Sequence, residues 1–210
     1  RNTTSESEPT ICPTSSRAIK RITAGEWTRD GKGIVFSGMP AGKAMGAKAD
    51  LWLLDLNSSD KRLLTGSLET GHAYGFGVYQ MLDDTSLLGT VPFHGMDEIC
   101  RIPLDGGAAQ KVMTGERGVQ LQDIREGQVL FIQSTPANPG ELALHDLVSG
   151  GEHIITAVNS GWLDEINLPS VETLHFNNPD GLEIEGWLML PAEGQSPFPT
   201  ILYNHGGPHG

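Results

Sequence analysis

The run Trp52-Leu53-Leu54-Asp55-Leu56 decides the fold, because its pattern returns as Cys100-Arg101-Ile102-Pro103-Leu104 and again as Ala143-Leu144-His145-Asp146-Leu147. Apolar residues dominate each run, and each ends at a turn rich in Gly, Ser, Asn or Asp, at 57–60, 105–107 and 148–151. Strand-like segments bounded by such turns are typical of β structure. A segment that recurs at a regular period indicates an array of equivalent units.

Each unit contains further strand-like segments on both sides of this run. A short segment ending in threonine follows the turn, as Leu63-Leu64-Thr65, Val112-Met113-Thr114 and Ile154-Ile155-Thr156. An apolar segment precedes the run, as Ile34-Val35-Phe36, Leu87-Leu88-Gly89 and Val129-Leu130-Phe131-Ile132. We expect a fourth, weaker strand at the start of each unit, near Trp27, within 74–82 and within 119–124.

The period of roughly 40 to 50 residues matches a four-stranded propeller blade. The units lack the sustained 3.6-residue apolar pattern of helical repeats. We therefore predict three β-propeller blades over 21–157, a linker over 158–170, and an initial segment 1–20 that is disordered or part of another blade.

A predicted hairpin follows the blades. Two strand-like segments, 171–176 and 182–191, flank Asn178-Pro179-Asp180-Gly181, whose residues favour a tight reversal. A connection rich in Pro and Gly, 191–199, leads to the run Thr200-Ile201-Leu202-Tyr203, which predicts another strand.

That run leads into His205-Gly206-Gly207-Pro208-His209-Gly210. Consecutive glycine amides after a strand suit an acyl-transfer enzyme, which needs unobstructed N–H groups to stabilise the negative oxygen of a tetrahedral intermediate. Glycine is required at such a place because a Cβ would crowd the substrate carbonyl. The loop therefore predicts half of an oxyanion hole.

The order of hairpin, connection, strand and His-Gly-Gly-Pro resembles the start of the α/β-hydrolase domain in the prolyl oligopeptidase family of serine peptidases. The loop and the style of the blades are most similar to the acylaminoacyl-peptidase branch. The resemblance implies a mainly β chain, in which propeller blades precede the first strands of a truncated α/β-hydrolase domain at 171–210. It also implies hydrolysis of short peptides through an acyl-enzyme, with the propeller restricting access.

The resemblance assigns roles to four loop residues. Gly207 is expected to donate its backbone N–H to the oxyanion, His205 to orient the loop, and Gly206 and Pro208 to contact substrate. No Gly-x-Ser-x-Gly occurs in the 210 residues, so we expect the catalytic Ser, Asp and His to follow Gly210 and this chain to be inactive alone. An esterase on the same fold and a noncatalytic propeller that binds a partner stay open as alternatives.

Composition limits the partners. With 26 acidic and 14 basic residues the formal net charge is −12, which disfavours nucleic acid and anionic membranes. We expect a peptide substrate, and self-association stays open. A cytoplasmic location is favoured. Without an initiating Met the native N-terminus is expected to be missing, so a secreted or periplasmic location stays open.

No cofactor or metal is expected. His205 and His209 are separated by Gly-Gly-Pro, which prevents the helix that would place both on one zinc ion, and a third ligand is not evident. The other histidines are interpreted as structural or surface residues: His72, His94, His145, His153 and His175. Cys100 is predicted to lie in a core, and Trp27, Trp52 and Trp187 to pack within blades or sheets.

Overall fold

The structure is a computed structural model that describes residues 19–43, 47–69 and 76–204. These residues form three four-stranded antiparallel sheets, a two-stranded sheet and a single-turn helix. The strands of each four-stranded sheet lie side by side in chain order. This is the arrangement of propeller blades, and the predicted fold class, mainly β with propeller blades, is confirmed.

The three sheets correspond to the three repeat units. Blade 1 consists of β1 (Ile19–Trp27), β2 (Gly33–Pro40), β3 (Asp50–Asp55) and β4 (Lys61–Leu63). Blade 2 consists of β5 (Tyr79–Met81), β6 (Ser86–Phe93), β7 (Met96–Pro103) and β8 (Gln110–Met113). Blade 3 consists of β9 (Gly118–Arg125), β10 (Gln128–Thr135), β11 (Asn138–Asp146) and β12 (Glu152–Ile154). The helix α1 (Ser160–Leu163) and the hairpin of β13 (Ser170–Asn177) and β14 (Glu183–Leu190) follow.

Blade 2 is buried on both faces. Successive side chains of a strand point to opposite faces of the sheet, and in β6 the residues from Ser86 to Val91 are all buried. Leu87 packs in a cluster with Val35 and Leu51 of blade 1, whereas Leu88 packs in a second cluster with Val129 of blade 3. Blade 2 therefore lies between the other two blades, with a separate apolar core on each side.

Cys100 of β7 lies in the core between blades 1 and 2, as predicted. Its residue surface is 2% exposed. Burial raises the pKa of the Cys100 thiol to about 11, with the nearby Glu98 acting in the same direction. The thiol is therefore a packing group and not a nucleophile, because reactive cysteines need an accessible thiolate.

The threonine that ends each unit has a structural role in blades 1 and 3. In blade 1 the Thr65 hydroxyl accepts the N–H of Leu51 at 3.0 Å and donates to Asp50 at 2.8 Å. This contact ties the segment after β4 to the start of β3. In blade 2 the corresponding Thr114 is exposed, and Glu98 instead pairs with Lys111 at 2.9 Å.

Blade 3 contains the same threonine contact. Thr156 accepts the N–H of Leu142 at 2.9 Å and donates to Glu141. The hydrogen bond from Thr156, together with the N–H groups of Val158 and Asn159, lowers the pKa of Glu141 to about 2. Glu141 therefore stays ionised and fixes the chain where it leaves the last blade.

Trp27 corrects one sequence-based expectation. Its side chain does not pack within the blades and is 62% exposed. The preceding residue, Glu26, points toward blade 2 and accepts the N–H of Met81 at 3.0 Å. Because neighbouring side chains alternate along a strand, Trp27 faces away from blade 2. Trp52 does lie within the sheet, where its indole N–H donates to the Gly38 carbonyl at 3.2 Å.

We expect Thr65→Val to lower the free energy of unfolding by about 1–3 kcal/mol, since it leaves the buried Leu51 N–H and the Asp50 carboxylate without this hydroxyl. Thr114→Val is the matched control, because Thr114 ends the corresponding unit on an exposed site; it should change stability by at most about 0.5 kcal/mol. Urea unfolding of both variants measures the difference. Equal effects would contradict the structural role assigned to Thr65.

Candidate functional site: the hairpin and the segment leading to the glycine loop

The predicted site residues His205, Gly206, Gly207 and Pro208 lie outside the described residues. Their assigned roles therefore stay predictions. The structure does describe the hairpin β13–β14 and the segment 191–204, which together lead the chain to the loop.

The hairpin is regular and is closed by the predicted turn. Its strands pair without a break from Ser170 with Leu190 to Asn177 with Glu183. The Asn178 side chain accepts the N–H groups of Asp180 at 3.0 Å and Leu182 at 2.8 Å. Gly181 adopts a φ of 84°, which glycine allows without steric cost. Asn-Pro-Asp-Gly thus reverses the chain as its residue types indicate.

Local contacts hold the connection that follows the hairpin. Gly194 has a φ of 116° and lies against the Phe198 ring, so that a Cβ at 194 would come within 2.8 Å of the ring. Asn167 donates its side-chain N–H to Glu193 at 2.7 Å. The peptide bond between Ser196 and Pro197 is cis. The contacts of Gly194 with Phe198 and of Asn167 with Glu193 shape the connection locally.

The predicted strand at 200–203 is not formed in the structure. Residues 200–204 adopt no strand, and Ile201, Leu202 and Tyr203 are 90%, 84% and 86% exposed. A strand exists through hydrogen bonds to a neighbouring strand, and none of the sheets in 19–43, 47–69 and 76–204 pairs with this segment. β-forming residue types without a partner do not make a strand.

The first strands of the blades form a polar edge. Gln80 of β5 donates to the Gln122 carbonyl of β9 at 3.2 Å, and Arg29, just after β1, donates to the Met81 carbonyl at 3.3 Å. Burial raises the pKa of Glu26, although its hydrogen bond from Met81 and the charge of Arg29 oppose that effect. In a propeller the blades surround a central channel, and the first strand of each blade is the one nearest to that channel.

An open cleft of about 370 Å³ lies between blades 1 and 2. Lys32 and Arg62 line it together with four carboxylates, those of Asp30, Asp55, Asp84 and Asp105. Hydrogen bonds from the Lys32 N–H and the Thr28 hydroxyl lower the pKa of Asp30, and Asp105 accepts the Gly107 N–H at 2.8 Å. The carboxylates of Asp30 and Asp105 therefore stabilise the turns that carry them. Within the described ranges, no three His, Cys, Asp or Glu side chains come together in a metal-binding group.

The described histidines differ in environment. His145 is 7% exposed and lies 3.0 Å from Glu152, which also binds Arg117. His175 lies 3.3 Å from Glu183 within the hairpin. His94 lies 3.3 Å from Glu185, and this pair joins blade 2 to the hairpin. Sequence reasoning treated His94 as an isolated residue; the His-Gly pair at a two-residue turn was the signal that could have drawn attention to it.

In 19–43, 47–69 and 76–204 the structure contains no helix that is long and apolar enough to span a membrane.

Stacked four-stranded blades followed by an antiparallel hairpin define a chain of the β-propeller type. Over 84 residues it is 37% identical to an uncharacterized peptidase, YuxL, of Bacillus subtilis; the match covers 38% of this chain and 12% of the relative. No protein-family model matches the sequence.

The solved structure of a hydrolase shares the fold. A puromycin hydrolase superposes with a TM-score of 0.52 at 16% identity, over 80% of this chain and 25% of that chain. The β-propeller domain of the trilobed protease from Pyrococcus furiosus has a TM-score of 0.49 at 20% identity, over 62% and 36% of the two chains. The chain thus spans about a quarter of the puromycin hydrolase. The expected resemblance to propeller-bearing peptidases of the prolyl oligopeptidase family is confirmed, while the branch within that family stays a prediction.

We expect limited proteolysis with chymotrypsin to cut first after Leu202 or Tyr203, because both side chains are exposed in a segment without a paired strand. Mass spectrometry of the early products identifies the sites. Leu202→Ser combined with Tyr203→Ser should remove these cuts without exposing new ones in the blades. First cleavage within blade 2 would contradict this structure.

Proposed function

We propose that this chain forms part of a serine-type peptidase that hydrolyses short peptides through an acyl-enzyme. The observation that carries the proposal is the glycine loop 205–210, which follows a hairpin and a β-rich segment in a chain that has a peptidase relative and shares its fold with a hydrolase. The proposed activity requires residues outside this chain, and the proposal concerns that larger protein.

The proposed chemistry assigns the loop to the charged intermediate. A serine hydroxyl attacks the scissile carbonyl while a histidine removes its proton, and the carbonyl oxygen becomes negative. The Gly207 N–H donates one hydrogen bond to that oxygen, and the amide after the serine in Gly-x-Ser-x-Gly donates the other. The intermediate expels the amine, which takes the proton from the histidine, and water then releases the acyl group.

The blades have a separate role in this proposal. Their packing through two apolar cores makes them a rigid cap. The polar edge of β1, β5 and β9 carries amide and carboxylate groups that join the blades to one another, and in this proposal their remaining hydrogen-bonding capacity faces an extended peptide. Exclusion of large substrates would then follow from the width of the channel, and recognition of short peptides from main-chain hydrogen bonds.

Gly207→Val in the larger protein tests the loop. A branched side chain there obstructs the oxyanion, and loss of one such donor lowers kcat by roughly 10²- to 10³-fold. Gly186→Ala is the control, because Gly186 lies in β14, has no positive φ, and has no atom within 4 Å of the place that an added Cβ would take. It should leave kcat unchanged.

The assay uses short peptide amides and the corresponding esters, with thermal melting of each variant measured in parallel. Near-normal kcat in a destabilised Gly207→Val protein would remove the loop from catalysis. Cleavage of esters alone would favour an esterase, and failure of the wild-type protein to react with a fluorophosphonate would favour a noncatalytic binding module.

A further inference from the structure

The two-residue turn between β6 and β7 has an unusual first residue. Phe93 pairs with Met96, so His94 and Gly95 are the two residues of the loop. Their φ values are 47° and 68°, and positive φ at both positions defines the type I′ turn that fits the twist of a hairpin. Asn or Asp is the usual first residue of such a turn. Histidine at this place supplies a ring that extends beyond the sheet.

This turn contacts the hairpin through two neighbouring groups. The Trp187 indole of β14 covers Gly95 so closely that a Cβ at 95 would overlap the ring. Beside it, Nδ1 of His94 lies 3.3 Å from the Glu185 carboxylate. From the blade side, the Phe93 ring meets the His94 ring edge to face, and Lys111 lies over Phe93 with Nζ 3.4 Å from the ring centre.

The hairpin strands contain no fully buried residue. Every residue of β13 and β14 is exposed or half-buried. Trp187 itself stays 52% exposed, because only part of the indole covers Gly95. The Glu185 side chain is 23% exposed, although its partner His94 is 65% exposed. A polar contact between partly exposed side chains contributes little stability, so the packing of Trp187 on Gly95 is the principal part of the contact.

We propose that the His94-Gly95 turn is a clasp that holds the hairpin β13–β14 against blade 2. The clasp consists of His94, Gly95, Glu185 and Trp187. When it opens, the hairpin separates from the blade. Its own strands are fully paired, but an isolated two-stranded hairpin is only marginally stable in water, so its internal hydrogen bonds then open more often. A side chain at 95 would occupy the space of the indole and displace it from the turn.

The clasp has a consequence for the glycine loop that rests on the proposed function. After β14 the chain runs through 191–204 to His205. A hairpin held at one point by blade 2 fixes where that segment starts relative to the propeller. The clasp itself is a contact between the β6–β7 turn and β14, and it can be tested without measuring catalysis.

Chain dynamics test the clasp directly. Hydrogen exchange of the 210-residue chain, read by mass spectrometry over 170–190, should be on the order of tenfold faster in Gly95→Ala. Gly127→Ala is the matched control. Gly127 is the second residue of the equivalent two-residue turn between β9 and β10, with a φ of 81° and no atom within 4 Å of an added Cβ. Gly127→Ala introduces the same backbone strain but no collision with an indole. The rate of hydrogen exchange in the hairpin should therefore equal that of the wild type.

A second variant keeps the test decisive if Gly95→Ala disturbs blade 2 itself. Trp187→Ala removes the indole without altering the turn, and it should accelerate hairpin exchange while blade 2 stays protected. In the Trp187→Ala background, Gly95→Ala should add nothing to hairpin exchange. Unchanged hairpin exchange in both single variants, or equal acceleration by Gly95→Ala and Gly127→Ala, would overturn the clasp. Both results are independent of whether the larger protein hydrolyses peptides.

Discussion

Burial of blade 2 on both of its faces is the interaction on which the rest of the structure depends. A sheet with one apolar face needs one partner, whereas β6 places Leu87 in the core shared with blade 1 and Leu88 in the core shared with blade 3. The alternation of side chains along a strand makes this possible, provided that both alternate sets are apolar. The continuous run from Ser86 to Val91 meets that condition. Blade 2 thereby fixes its two neighbours at once.

The position of the hairpin follows from this stacking. Because β6 and β7 are held on both sides, the turn that joins them has a fixed direction, and His94 and Gly95 meet Glu185 and Trp187 of β14. The hairpin, which buries little by itself, takes its place from the blade. The segment 191–204 then leaves from a defined point. The proposed clasp thus also sets the point at which the chain enters the segment 191–204.

The repeat and its turns were predictable from the sequence because both are local. Strand-forming runs, Asn-Pro-Asp-Gly and the recurrent threonines each act on residues nearby in the chain. The exposure of Trp27 and the absence of a strand at 200–203 were not predictable in this way, since both depend on whether another element covers or pairs with them. The clasp joins residues far apart in sequence, and the His-Gly turn alone does not identify its partner. The glycine loop residues 205–208 stay a prediction from sequence.

The most direct measurement of the central claim is the unfolding free energy of Leu87→Ala and Leu88→Ala, determined by urea denaturation. Both side chains are fully buried, and truncating a buried leucine typically costs about 2–5 kcal/mol. If blade 2 has an apolar core on each face, both neighbouring substitutions lower stability by that amount. A loss of less than about 0.5 kcal/mol for either one, the range of surface substitutions, would show that this face of the blade is free and would contradict the account.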